Sequence, residues 1–153
     1  MVPKRLVLLV LLAATSASAN TIILTGLDGG LGLNTTFNDY GTNVTAWVGG
    51  IDVTVDGYPR VFYCVELTVS IYVPGTYTSV LDFADTDRLK RVAWLMANQQ
   101  PASATAGAGL QLAIWDILED GGDGFDVGKG HVTQATGSTA TNPTVLLLSL
   151  IHI

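Results

Sequence analysis

The chain has 153 residues, of which 48% are hydrophobic and 13% charged, enough for one packed domain and too apolar for a disordered tail. Seven Lys plus Arg stand against 13 Asp plus Glu, and the one cation cluster beyond the N-terminus is Arg88, Lys90 and Arg91. Nucleic-acid binding is therefore disfavoured.

Lys4 and Arg5 precede nine apolar residues, Leu6 to Ala14, and then Ser16-Ala17-Ser18-Ala19, which puts small residues at both positions of an A-x-A cleavage site. Residues 1–19 read as a secretory signal peptide, and the apolar run is too short for the roughly 20 residues that a bilayer span needs. Cleavage after Ala19 leaves 134 residues with five cations against 13 anions, a charge of −8. The expectation is an acidic exported domain over residues 20–145, at the cell surface or outside the cell, with no membrane-spanning segment in its mature part.

From Thr21 to Phe83 short β-branched and aromatic runs are punctuated by Gly29-Gly30, Gly49-Gly50, Asp56-Gly57 and Pro74-Gly75. Predicted strands are Thr21 to Leu24, Thr42 to Val48, Ile51 to Val55, Val61 to Ser70 and Gly75 to Val80, with Asp56-Gly57 as a two-residue hairpin turn. Their spacing suits an antiparallel β-sandwich or barrel-like region. The period then changes. Asp85-Thr86 offers an N-cap, and Leu89, Val92, Ala93 and Met96 at i, i+3, i+4 and i+7 predict a helix over Asp87 to Asn98, ended by Pro101. A small-residue bridge, Ala102 to Gly109, leads into a second helix with the stripe Leu110, Ala113, Ile114, Ile117 and Leu118, stopped by Gly121-Gly122. The fold class is α+β, mainly β, with two helices packed on the sheet. There is no internal repeat.

Residues 146–153 break character after a Thr, Ser, Gly and Ala-rich stretch. The hexapeptide Leu148 to Ile153, LSLIHI, resembles the translation of a transposon-end sequencing adapter, so this tail is expected to be non-native or truncated, and His152 carries no functional weight.

Cys64 is the single cysteine, so an exported chain of this kind has no internal disulfide to form. On a strand through Val61 to Ser70, Phe62, Cys64, Glu66, Thr68 and Ser70 would share one face. Read alone, Cys64 is a small buried hydrophobe. In the second helix, Gln111 interrupts an apolar run and Trp115 follows one turn later, where its indole leans back over Gln111. Read alone, Gln111 is a polar residue near a helix start that bonds to backbone.

Together these residues resemble a family. Tyr63-Cys64-Val65-Glu66-Leu67, Ser70-Ile71, Pro74-Gly75 and Tyr77, Arg91-Val92-Ala93-Trp94-Leu95 and LQLAIW at Leu110 to Trp115 look like the thioester domain of bacterial surface proteins, closest to the type found in exported PEP-CTERM proteins. The resemblance covers about Tyr63 to Asp120. It implies an internal thioester joining Cys64 Sγ to the Gln111 side-chain carbonyl, with Tyr63, Phe62 and Trp115 as apolar cover and Glu66 as a supporting carboxylate. It also implies one covalent capture of a surface protein or glycan bearing an amine or hydroxyl, not enzymatic turnover and not cofactor chemistry. The type further carries a sorting segment, a Pro-Glu-Pro motif with an apolar helix and basic tail, which this chain lacks; recognition by sorting machinery would need a lost C-terminus.

The competing reading is a noncovalent surface or matrix protein with an inert Cys64, its aromatics Tyr40, Trp47, Tyr58 and Tyr72 lining a carbohydrate-binding face. A Cys64 and His131 hydrolytic pair lacks an orienting acid motif. Asp120, Asp123 and Asp126 recur every third residue, but they miss the spacing of a calcium loop and read as a Gly-rich turn, so no metal is expected. Asn34-Thr35-Thr36 and Asn43-Val44-Thr45 match the glycosylation pattern in form only.

Overall fold

The computed structural model describes residues 20–79, 86–123 and 130–134. Residues 1–19, Val80, Asp85, Asp126 and the tail 146–153 named above lie outside the described residues. The class is as read, mainly β with two helices. Strands β1 (Asn20–Asp39), β2 (Thr42–Val55), β3 (Tyr58–Phe62), β4 (Gly75–Ser79) and β5 (Val132–Gln134) form one antiparallel sheet in the order β3-β2-β1-β4, with β5 also on β1. β4 pairs with Asn20 to Leu24 and β5 with Phe37 to Asp39, so both lie on the edge of β1 away from β2. The sheet is open, and helix α2 (Ala104–Asp120) covers the face that a second sheet would cover in a sandwich.

Asp56-Gly57 turns β2 into β3 with φ of 50° and 86°, the pair of positive values that a type I′ hairpin demands. The other glycine pairs correct the sequence reading. Gly29-Gly30 lies inside β1 and Gly49-Gly50 inside β2, where β1 and β2 slip register between Leu27 and Gly32. Gly49 has φ 141°, and a Cβ on it would strike the Cα of Gly32. These glycines permit a close crossing of two strands; they do not end them.

Helix α1 (Asp87–Asn98) has the predicted bounds, with Thr86 Oγ1 accepting from Leu89 N at 3.2 Å. Its buried stripe is rotated from the expected one: Val92 and Leu95 are buried, while Ala93 and Met96 face outward. Two of the three clustered cations reach the neighbouring helix, while Lys90 pairs with Asp87 of α1. Arg88 donates to the Leu118 and Glu119 carbonyls and Arg91 to that of Gly121, satisfying the free end of α2 and opposing its dipole.

α2 begins earlier than predicted, because the small-residue bridge is its first turns. Ser103 caps it, its Oγ accepting from Ala106 N at 3.2 Å, and Gly121 (φ 78°) closes it in the left-handed region. The glycines weaken helix propensity, but tertiary packing overrides it. A Cβ at Gly107 would fall on the Leu31 carbonyl of β1, so only glycine lets the helix lie this close to the sheet. α2 is consequently buried on two sides. Leu110, Ala113, Ile114 and Ile117 pack with Val92 and Leu95 of α1, and Ala108, Leu112 and Trp115 pack with Phe37, Val48 and Val132 of the sheet.

Candidate functional site at Cys64 and Gln111

The predicted strand Val61 to Ser70 stops at Phe62, whose partner in β2 is Ile51. Beyond Phe62 the chain leaves the ladder, so the expected alternation of faces does not continue through Cys64. Its backbone polar groups must find other partners. They find the Gln111 side chain. The Cys64 amide N–H donates to Gln111 Oε1 at 2.8 Å, and Gln111 Nε2 donates to the Cys64 carbonyl at 2.7 Å. A side-chain carboxamide thus takes the place of a neighbouring strand across 47 residues of sequence.

Gln111 is 1% exposed, and it sits in the third turn of α2, not the first, because the helix starts at Ala104. Depth is what holds it. With one face of α2 against α1 and the other against β1 and β2, the carboxamide is almost wholly withdrawn from water, and burying it unpaired would cost about 1 to 3 kcal/mol. Two short hydrogen bonds to one residue fix its plane.

Cys64 is half-buried against the cluster of Phe37, Trp115 and Val132. Its thiol donates to the Glu66 carbonyl at 2.9 Å. Burial pushes the thiol pKa up, and the Glu66 charge adds to that. The thiol is therefore protonated at neutral pH.

Two clefts flank Cys64. One, of about 400 Å³, is lined by Gln111, Trp115, Cys64 and Glu66 together with Phe37 and Asp39 of β1. The other, of about 300 Å³, is lined by Tyr63, Phe62, Cys64, Glu66 and apolar residues of β1 and β2. Four of the six residues singled out from sequence, Cys64, Gln111, Trp115 and Glu66, therefore share one cleft, and Phe62 lines the other. Tyr63 stands on the other side, packed toward α1 and α2, where burial raises its phenol pKa. Trp115 meets Phe37 with ring centroids 5.4 Å apart and walls the flank of the pair, while the exposed Glu66 carboxylate is free to reach solvent.

Asp39 was not legible as a site residue. It lies between the predicted strands Thr21 to Leu24 and Thr42 to Val48, and its place in the cleft follows from β1 running 20 residues to the Tyr40-Gly41 turn. His131 is held elsewhere. Its Nδ1 is 3.3 Å from Asp120, and its ring stacks on Tyr40 at 4.0 Å. Asp120 follows Gln111 by nine residues of α2, about 13 Å along the axis, so His131 is built into the far end of the helix and not paired with Cys64. Asp116, Asp120 and Asp123 bring carboxylate oxygens within 4.8 Å of one another, and Asp126 lies outside the described residues. Both Asp120 oxygens accept backbone N–H groups, of His131 and Val132, at 2.8 Å each, so this carboxylate anchors β5. Among the described residues no helix is long and apolar enough to cross a membrane.

Compared with protein-family models, with curated proteins and with solved structures, the chain matches none.

Proposed function

We propose that this chain is an exported surface domain that forms an internal thioester between Cys64 and Gln111 and uses it for one covalent attachment to a nucleophile-bearing partner. The observation that carries the reading is the paired carboxamide, 2.8 and 2.7 Å from the amide and carbonyl of the same cysteine. The thiol belongs to the residue that grips the amide, and the reaction requires Sγ to leave the Glu66 carbonyl and reach Gln111 Cδ. This pairing supplies the proximity that turns a bimolecular reaction into a local one.

The steps balance. Cys64 Sγ adds to Gln111 Cδ; negative charge develops on Oε1, which already accepts the Cys64 N–H, a donor placed as in an oxyanion hole. The C–N bond breaks, and the thiol proton leaves with the nitrogen as ammonia. A nucleophile then attacks Cδ, the C–S bond breaks, and the thiol is restored. The raised thiol pKa slows the first step and makes the sulfur a more basic leaving group in the second. The walls of Trp115 and Phe37 limit access of water to the activated acyl group.

The alternative of a noncovalent surface module is favoured by that same half-buried, protonated thiol. Intact mass of the purified mature domain separates the two. The thioester predicts a deficit of about 17 Da, absent in Cys64→Ala and Gln111→Ala and reversed with the matching gain on methylamine treatment. Full calculated mass with a titratable thiol in the folded protein would overturn it.

A further inference from the structure

We propose, resting on the thioester reading, that the cleft over Gln111 selects its nucleophile by charge, with Asp39 and Glu66 drawing in a primary alkyl ammonium in preference to neutral nucleophiles. Of the two clefts beside Cys64, only the larger is lined by Gln111, whose Cδ is the atom attacked, so the nucleophile enters there. Its walls are mostly aliphatic and aromatic, including Leu27, Val44, Ala46 and Leu67, and suit an alkyl stem. Among the described residues its charged lining is two carboxylates, Asp39 and Glu66, with no cation. They stand on separate elements, Asp39 at the end of β1 and Glu66 on the segment after β3.

The polar inventory points the same way. Asp39 Oδ1 is buried without a hydrogen-bond partner among the described residues, an acceptor with capacity for a donor. A hydroxyl on a polar sugar ring would strip its own hydration against mainly apolar walls for few returned hydrogen bonds. An alkyl ammonium matches both features, its cation to the carboxylates and its stem to the walls. On reaction the ammonium releases one proton to solvent through a carboxylate, its lone pair attacks Cδ, a second proton passes to the departing sulfur, and the products are the amide, the Cys64 thiol and one free proton.

The test follows thioester opening in the full-length mature chain by intact mass, with n-butylamine, cationic at pH 8, and methoxyamine, neutral at that pH, as probes. Asp39→Asn and Glu66→Gln are compared with the parent, and thermal melting confirms that each variant folds. Removing one partly screened carboxylate is expected to slow opening by n-butylamine about fivefold to tenfold while changing methoxyamine by less than about twofold. Equal slowing of both probes, or no slowing of either, in a parent that carries the 17 Da deficit overturns charge selection and leaves the thioester standing. A parent with no deficit overturns the thioester reading itself and the selection built on it.

Discussion

Opening the proposed bond should soften the whole domain, by an amount set by how far apart in sequence its ends lie. Cys64 and Gln111 are separated by 47 residues, and closing a loop of that length restrains the unfolded chain by about 4 kcal/mol in the chain-entropy model, with about 2 to 4 expected once native strain is allowed for. Methylamine removes this restraint without changing any other residue. For a domain of this size each kcal/mol moves the melting midpoint by about 4 °C, so treatment should lower Tm by roughly 8 to 16 °C. Differential scanning calorimetry of treated and untreated parent measures it, with Cys64→Ala, which has no bond to open, as the control. Two superimposable traces for the parent, or an equal shift in Cys64→Ala, would refute a cross-link between these residues.

Two further outcomes follow from the packing and the thiol. Gly107→Ala should destabilise the fold by about 1 to 3 kcal/mol, because the added Cβ lands on the Leu31 carbonyl and α2 must lift off β1; a chemical-denaturation midpoint unchanged from the parent would show that the helix has room to move. In Gln111→Ala, where the thiol stays free, burial should hold Cys64 protonated to higher pH than in the unfolded chain, so alkylation by iodoacetamide should rise at a more alkaline pH in buffer than in urea. The linkage has the same sign: the buried neutral thiol contributes its full stability below the unfolded pKa, and that contribution is lost as pH climbs toward the raised one, whereas coincident alkylation profiles would contradict burial as the cause.

What the sequence made legible was local. Asp56-Gly57 declares its turn through two residues that tolerate positive φ, and α1 declares itself through Thr86 and a repeat of apolar positions. Gly49-Gly50 and the Ala102 to Gly109 stretch misled for a shared reason. Glycine marks a chain reversal and a close backbone approach with the same letter, and at Gly49 and Gly107 it is the approach of Gly32 and Leu31 that decides, from far away in sequence. The pairing of Cys64 with Gln111 was foreseeable only through family resemblance, since no periodicity relates a residue beyond a strand end to one inside a helix. Asp39 had no signal at all, because its importance comes from which cleft the end of a long strand reaches.

The two readings of this site diverge over the sulfur and not over the glutamine. A buried carboxamide that satisfies the backbone where β3 ends is useful to any fold, and it would do so equally with alanine at position 64. The thiol makes one hydrogen bond, to the carbonyl two residues on, and adds a small apolar surface to the Phe37 and Trp115 cluster. Those roles are worth little, on the order of 1 kcal/mol, and many side chains could fill them. A purely structural site therefore predicts that Cys64→Ala is mild and Gln111→Ala severe. A cross-linked site predicts that both lose the loop restraint, and that they differ only by the carboxamide's own hydrogen bonds, about 1 to 3 kcal/mol. Comparing the two variants with the double variant thus weighs the glutamine as a strut against the glutamine as an acyl donor, independently of any partner.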